Sequence, residues 1–124
     1  MALVLIVDDS VSNRDLVQTV MHYHGHETVE YRGGVQALEG LKTEHPDVVL
    51  ADLMMPVMDG YQLASAIHAN PETRDLPVIF YTANYQAPNV VSDAHAAGVS
   101  RIVPKTGDLT ELVDAIESSL REVS

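Results

Sequence analysis

The chain has 124 residues, a length that suits one domain and suffices to bury a core, and its 18 acids against 7 Lys and Arg leave a net charge of -11. That field repels nucleic-acid phosphates and anionic lipid, which argues against direct DNA binding or membrane attachment. The absence of cysteine excludes disulfides, thiol catalysis and thiolate metal sites, and the longest apolar run is far short of the ~20 residues of a membrane helix, so a soluble, cytoplasmic chain forming one domain over residues 1–124 is expected.

Ala2–Val7 (ALVLIV) is apolar at every position, as a strand buried on both faces of a parallel sheet would be. Asp8 or Asp9, helped by Ser10, suits the cap of a helix from about Val11 to Tyr23, striped by Leu16, Val17, Val20 and Met21. Glu27–Tyr31 alternates and fits a strand nearer an edge. Gly33-Gly34 reads as a turn and helix entry without the spaced glycines of a dinucleotide loop, and Val35, Leu38 and Leu41 mark a helix between Gly34 and Lys42. Val48–Ala51 (VVLA) is a second doubly buried strand, and Asp59 with Gln62 forms the start signal of a helix over Gly60–Ala69. Pro77–Tyr81 (PVIFY) is a third. The Ala-rich stretch Val90–Ala97 has a weak stripe and a stop at Gly98, which predicts a shorter or mobile helix there. Val99–Val103 (VSRIV) gives a fifth strand, and Leu109, Leu112, Val113, Ile116 and Leu120 stripe a last helix behind a box-like Asp108…Glu111 start. Strand and helix thus alternate five times. Short, right-handed crossovers turn that order into an α/β fold, a doubly wound parallel five-stranded (βα)5 sheet sandwiched between helices.

In open parallel sheets the ligand crevice lies beyond the carboxyl ends of the strands. Here those ends are polar: Asp8-Asp9 after the first strand, Asp52 after the third, Thr82 after the fourth and Lys105 after the fifth. One cleft would gather three carboxylates, a hydroxyl and an ammonium. Crowded carboxylates repel one another, and a hard cation such as Mg²⁺, which takes a few oxygen ligands and keeps waters and phosphate oxygens, relieves the repulsion. An Asp with an ordinary pKa of ~3.9 needs no base to act as a nucleophile near neutrality; the obstacle is repulsion of the incoming phosphoryl group. Mg²⁺, Lys105 and the Thr82 hydroxyl would each meet one phosphoryl oxygen, which predicts an aspartyl phosphate as product.

The elements VDDS at Val7–Ser10, DLMMPVMDG at Asp52–Gly60, Thr82-Ala83 and Lys105 resemble the response-regulator receiver family, over essentially the whole chain. The resemblance implies the CheY-like, flavodoxin-like form of the fold. It implies Asp52 as phosphoacceptor, Asp9 as a direct metal ligand, Asp8 as a water-mediated one, Met54 as the donor of a backbone carbonyl to the metal, and Thr82 with Lys105 as the phosphoryl-sensing pair. It further implies a phosphohistidine donor on a sensor histidine kinase or phosphotransfer protein, a downstream effector or covalently linked output domain, and catalysis limited to the domain's own phosphorylation and dephosphorylation. Two positions depart from the family pattern. Ile102 stands where an aromatic reporter is common, three places before the lysine, and Pro104 precedes Lys105 where a proline commonly follows it, Thr106 standing there instead. Tyr81 and Tyr85 are candidate substitute reporters.

Two other functions compete. A receiver-like binding module that works without phosphate is opposed by the complete acid set and Lys105, and a flavodoxin-like mononucleotide carrier by two acids that would repel a cofactor phosphate. The His22, His24 and His26 cluster lies at the far end of the first helix with no ligand set of structural-site spacing, and no metal is expected there. Met54, Met55 and Met58 suit packing at the cleft rim. Action alone, as a relay or protein-binding regulator, and action as the amino-terminal part of a longer protein are both open.

Overall fold

The computed structural model describes residues 2–83, 88–105 and 109–123. Five strands, β1 (Leu3–Val7), β2 (Glu27–Tyr31), β3 (Val48–Ala51), β4 (Val78–Thr82) and β5 (Arg101–Pro104), alternate with five helices, α1 (Val11–Tyr23), α2 (Gly34–Gly40), α3 (Gly60–Ala69), α4 (Val90–Ala96) and α5 (Leu109–Val123). All strand pairs are parallel and the sheet order is β2-β1-β3-β4-β5. The expected doubly wound fold is therefore present.

The absence of alternation in β1, β3 and β4 has a simple cause, because successive side chains enter two different cores. Leu5, Val7, Val49, Ala51, Val78 and Phe80 pack with Ala37, Leu63, Ile67, Val90 and Ala94 on the side of α2, α3 and α4. Val4, Ile6, Val48, Leu50, Ile79 and Tyr81 pack with Val17, Met21, Leu112 and Ile116 on the side of α1 and α5. Burying each such Leu, Ile or Phe contributes about 1.5–3 kcal/mol before entropy is counted. The edge strands β2 and β5 are only partly covered. Pro104 is tolerated in β5 because an edge strand can spare a ladder donor.

Helix starts follow the sequence signals where they can be followed. Ser10 caps α1 by accepting from the Asn13 amide, and Asp59 and Gln62 form a complete capping box on α3. The box-like start at Asp108 lies outside the described residues. α4 opens at Asn89, which has a left-handed φ of 67° and no side-chain cap bond, and ends against Gly98 at φ 81°. Several boundaries move by a residue or two. β4 runs to Thr82 rather than Tyr81 because Thr82 pairs with Pro104, which draws both into the sheet. Among the described residues, no helix is long and apolar enough to cross a membrane.

Candidate functional site

Register brings the polar strand ends together. Val7 is paired with Ala51, so the next residues, Asp8 and Asp52, emerge side by side from β1 and β3, and the Asp52 amide donates to the Val7 carbonyl at 2.9 Å. Thr82 pairs with Pro104, and the Lys105 amide donates to the Thr82 carbonyl at 3.0 Å, which aims the following chain across the sheet edge. Asp8 is buried, Asp9 exposed and Asp52 intermediate. Ligand oxygens of these three lie within 4.8 Å of one another, and no other group of three potential metal ligands exists among the described residues. The histidine cluster does not assemble such a group: His22 Nε2 meets the Thr28 hydroxyl at 3.1 Å, and His26 is buried near Glu117.

Lys105 completes the cluster. Its ammonium donates to Asp8 Oδ2 at 3.1 Å and to Asp52 Oδ2 at 3.2 Å, and lies 5.5 Å from the centre of the Tyr81 ring. Burial works against this charge, but attraction to Asp52 and Asp8 outweighs it and holds the ammonium above its ordinary value of 10.5. Burial pushes the Asp52 carboxyl up from its ordinary 3.8, aided by repulsion from Asp8 and opposed by Lys105 and the Met54 amide. Asp8 Oδ1 accepts from the Ser10 amide at 2.9 Å, while among the described residues Asp52 Oδ1 has only the long 3.5 Å approach of the Met54 amide. One oxygen of Asp52 is thus far less engaged than the other, an arrangement that leaves it available to an electrophile or a cation.

The loop after β3 is held by close packing. A Cβ on Gly60 would lie 2.8 Å from the Asp52 carbonyl oxygen and 3.0 Å from the Leu53 Cα, so only glycine lets α3 begin this near the acid. Met55 is buried in the core, Met58 lies against Gly34, and Met54 is exposed at the rim. Thr82 is fully buried at the end of β4. Tyr81 points into the α1 and α5 core under the Lys105 ammonium, whereas Ile102 packs on the opposite core; Tyr85 and Thr106 lie outside the described residues. Arg14, which carries no motif, donates to the Asp8 carbonyl and lies 3.6 Å from Glu30.

Residues 4–117 match the model of the response regulator receiver domain. The chain belongs to that family. This receiver domain is 31% identical to the probable transcriptional regulator ycf27 of Porphyridium aerugineum over 120 residues, which are 97% of this chain but 48% of that protein. The chain therefore spans about half the length of that relative. Among solved structures, chemotaxis protein CheY4 of Vibrio cholerae superposes with a TM-score of 0.90 at 28% identity, covering 97% of this chain and 99% of that one. The response regulator TrrA of Thermotoga maritima, solved in complex with Mg(2+)-BeF, superposes with a TM-score of 0.87 at 25% identity, covering 97% of this receiver domain and all of that chain.

Proposed function

We propose that this receiver domain is a phosphorylation-driven switch that accepts a phosphoryl group on Asp52. The observation that carries the reading is the Lys105 ammonium bridging Asp8 and Asp52 inside a cluster of three carboxylates. Asp52 Oδ would attack the phosphorus of a phosphohistidine on a sensor histidine kinase or phosphotransfer protein. The P–N bond breaks, the imidazole leaves with its electron pair and takes up a proton, and the aspartyl phosphate remains. Lys105 moves its ammonium from the carboxylate to a phosphoryl oxygen, and the Thr82 hydroxyl donates to another.

Crowded oxygens with one cation among them fit a further hard cation. Asp9, Asp52 and the Met54 carbonyl would hold Mg²⁺ directly and Asp8 through water, as the donor chemistry and the Mg(2+)-BeF complex of TrrA support. Bound there, the ion would supply charge neutralisation for the transfer. The modified domain then regulates an effector or a linked output domain, in the cytoplasm.

Incubation with Mg²⁺ and acetyl phosphate, read by intact mass, tests the proposal. A phosphate-sized gain that is abolished by EDTA and absent in Asp52→Asn is expected. No gain in the parent would favour a phosphate-independent binding module, and gain undiminished in EDTA would remove the metal from the mechanism.

A further inference from the structure

His68 stands in the last turn of α3, half-buried, with each ring nitrogen facing a backbone carbonyl. Nδ1 is 2.8 Å from the Ala97 oxygen at the C-cap of α4, and Nε2 is 3.0 Å from the Leu76 oxygen at the approach to β4. A carbonyl oxygen only accepts. A neutral imidazole has one N–H, so it can satisfy one of these oxygens and must turn a lone pair towards the other at contact distance. Only the imidazolium donates to both. At these separations no water fits between ring and carbonyl, and Gly98 lies so close that a Cβ there would stand 2.6 Å from Nδ1.

Ala97 is the C-cap of α4, so the ring of His68, itself in the last turn of α3, meets the carboxyl end of α4 through that oxygen. Ionisable side chains on the neighbouring elements are Asp93 and His95 on α4, Glu72, Arg74 and Asp75 ahead of β4, and Arg101 opening β5. No carboxylate pairs with the ring among the described residues, whose hydrogen bonds to it are the two carbonyl contacts.

We infer that His68 is a proton-operated latch, in which the doubly protonated ring fastens the end of α4 to α3 and to the approach of β4. Loss of one proton turns one of the two contacts repulsive and loosens the turn at Ala97–Val99. This latch does not depend on the chemistry at Asp52.

The test is an NMR titration of the ring nitrogens of the folded domain over the range in which histidine exchanges its proton, with hydrogen exchange corrected for base catalysis. The amides of Ala97, Gly98 and Val99, which bond to α4 carbonyls, report the latch. Imidazolium nitrogen shifts are expected while these amides are protected, with protection falling about tenfold or more as the ring loses its proton. In His68→Gln that pH dependence should vanish. A single neutral tautomer alongside undiminished protection overturns the inference, as does pH dependence retained in the variant. Should the variant fail to fold, the ring shifts of the parent decide.

Discussion

The Lys105 ammonium lies 3.2 Å from Asp52 Oδ2, a contact between residues 53 positions apart. Even with this partner, burial keeps the Asp52 carboxyl above its ordinary 3.8. The folded domain thus binds the Asp52 proton more tightly than the unfolded chain does, so the resulting stabilisation is complete below 3.8 and is lost as pH rises through the raised value. Above that window the ionised acid is held at a cost. Asp52→Asn removes the cost, and should raise the urea midpoint near neutrality, with the difference shrinking as pH falls towards 3.8. A variant less stable than the parent at neutral pH would contradict this.

Gly60→Ala places a methyl against two backbone atoms, the Asp52 oxygen at 2.8 Å and the Leu53 Cα at 3.0 Å, which cannot give as a flexible side chain can. We expect a loss of about 1–3 kcal/mol in chemical denaturation and slower phosphorylation of the folded fraction, since the acceptor's own peptide is displaced. Unchanged stability would show that α3 moves freely.

Val57 has a φ of 71° although it is β-branched, and it is 92% exposed, so it buries almost nothing in return for the strain. Val57→Gly relieves that strain while adding freedom to the unfolded chain, for a net gain of about 1 kcal/mol. Thermal unfolding measures it.

Thr82 closes β4 ahead of α4, a seven-residue helix with an uncapped, left-handed start. Such an element has low local stability and reorganises first. Beryllofluoride with Mg²⁺, as a mimic of the phosphoryl group, should change amide protection across Val90–Ala97. Ile102→Val should preserve that response and cost about 1 kcal/mol or less, because Ile102 is a partly buried residue on the rim of the core that holds Phe80, Val90 and Ala94. Unaltered protection across α4 would place the output on another surface.

The sheet was legible because doubly buried strands cannot alternate: ALVLIV, VVLA and PVIFY advertise two cores at once. The gathering of Asp8, Asp9, Asp52 and Lys105 was legible too, since each follows closely on the end of a strand and parallel strands end on one side. The direction of Tyr81 was not, because a residue buried by either core looks the same in the chain. Nor were the double carbonyl contact of His68 or the Arg14 bond to Asp8, which depend on where backbone oxygens point after folding. The left-handed turn at Val57 gave no sign either. Valine is among the residues least suited to that conformation, so composition points away from it.

The cation of the site is its last part to be synthesised. Residues 8, 9 and 52 precede β5, an edge strand, and Lys105 arrives only when that strand zips onto β4. A chain emerging from the ribosome therefore carries three acids destined for one mouth long before their counter-charge exists, and a fragment ending at Gly98 would keep them that way. The 97-residue span between Asp8 and Lys105 makes their contact a late event, so its appearance would mark a completed domain rather than a collapsed one.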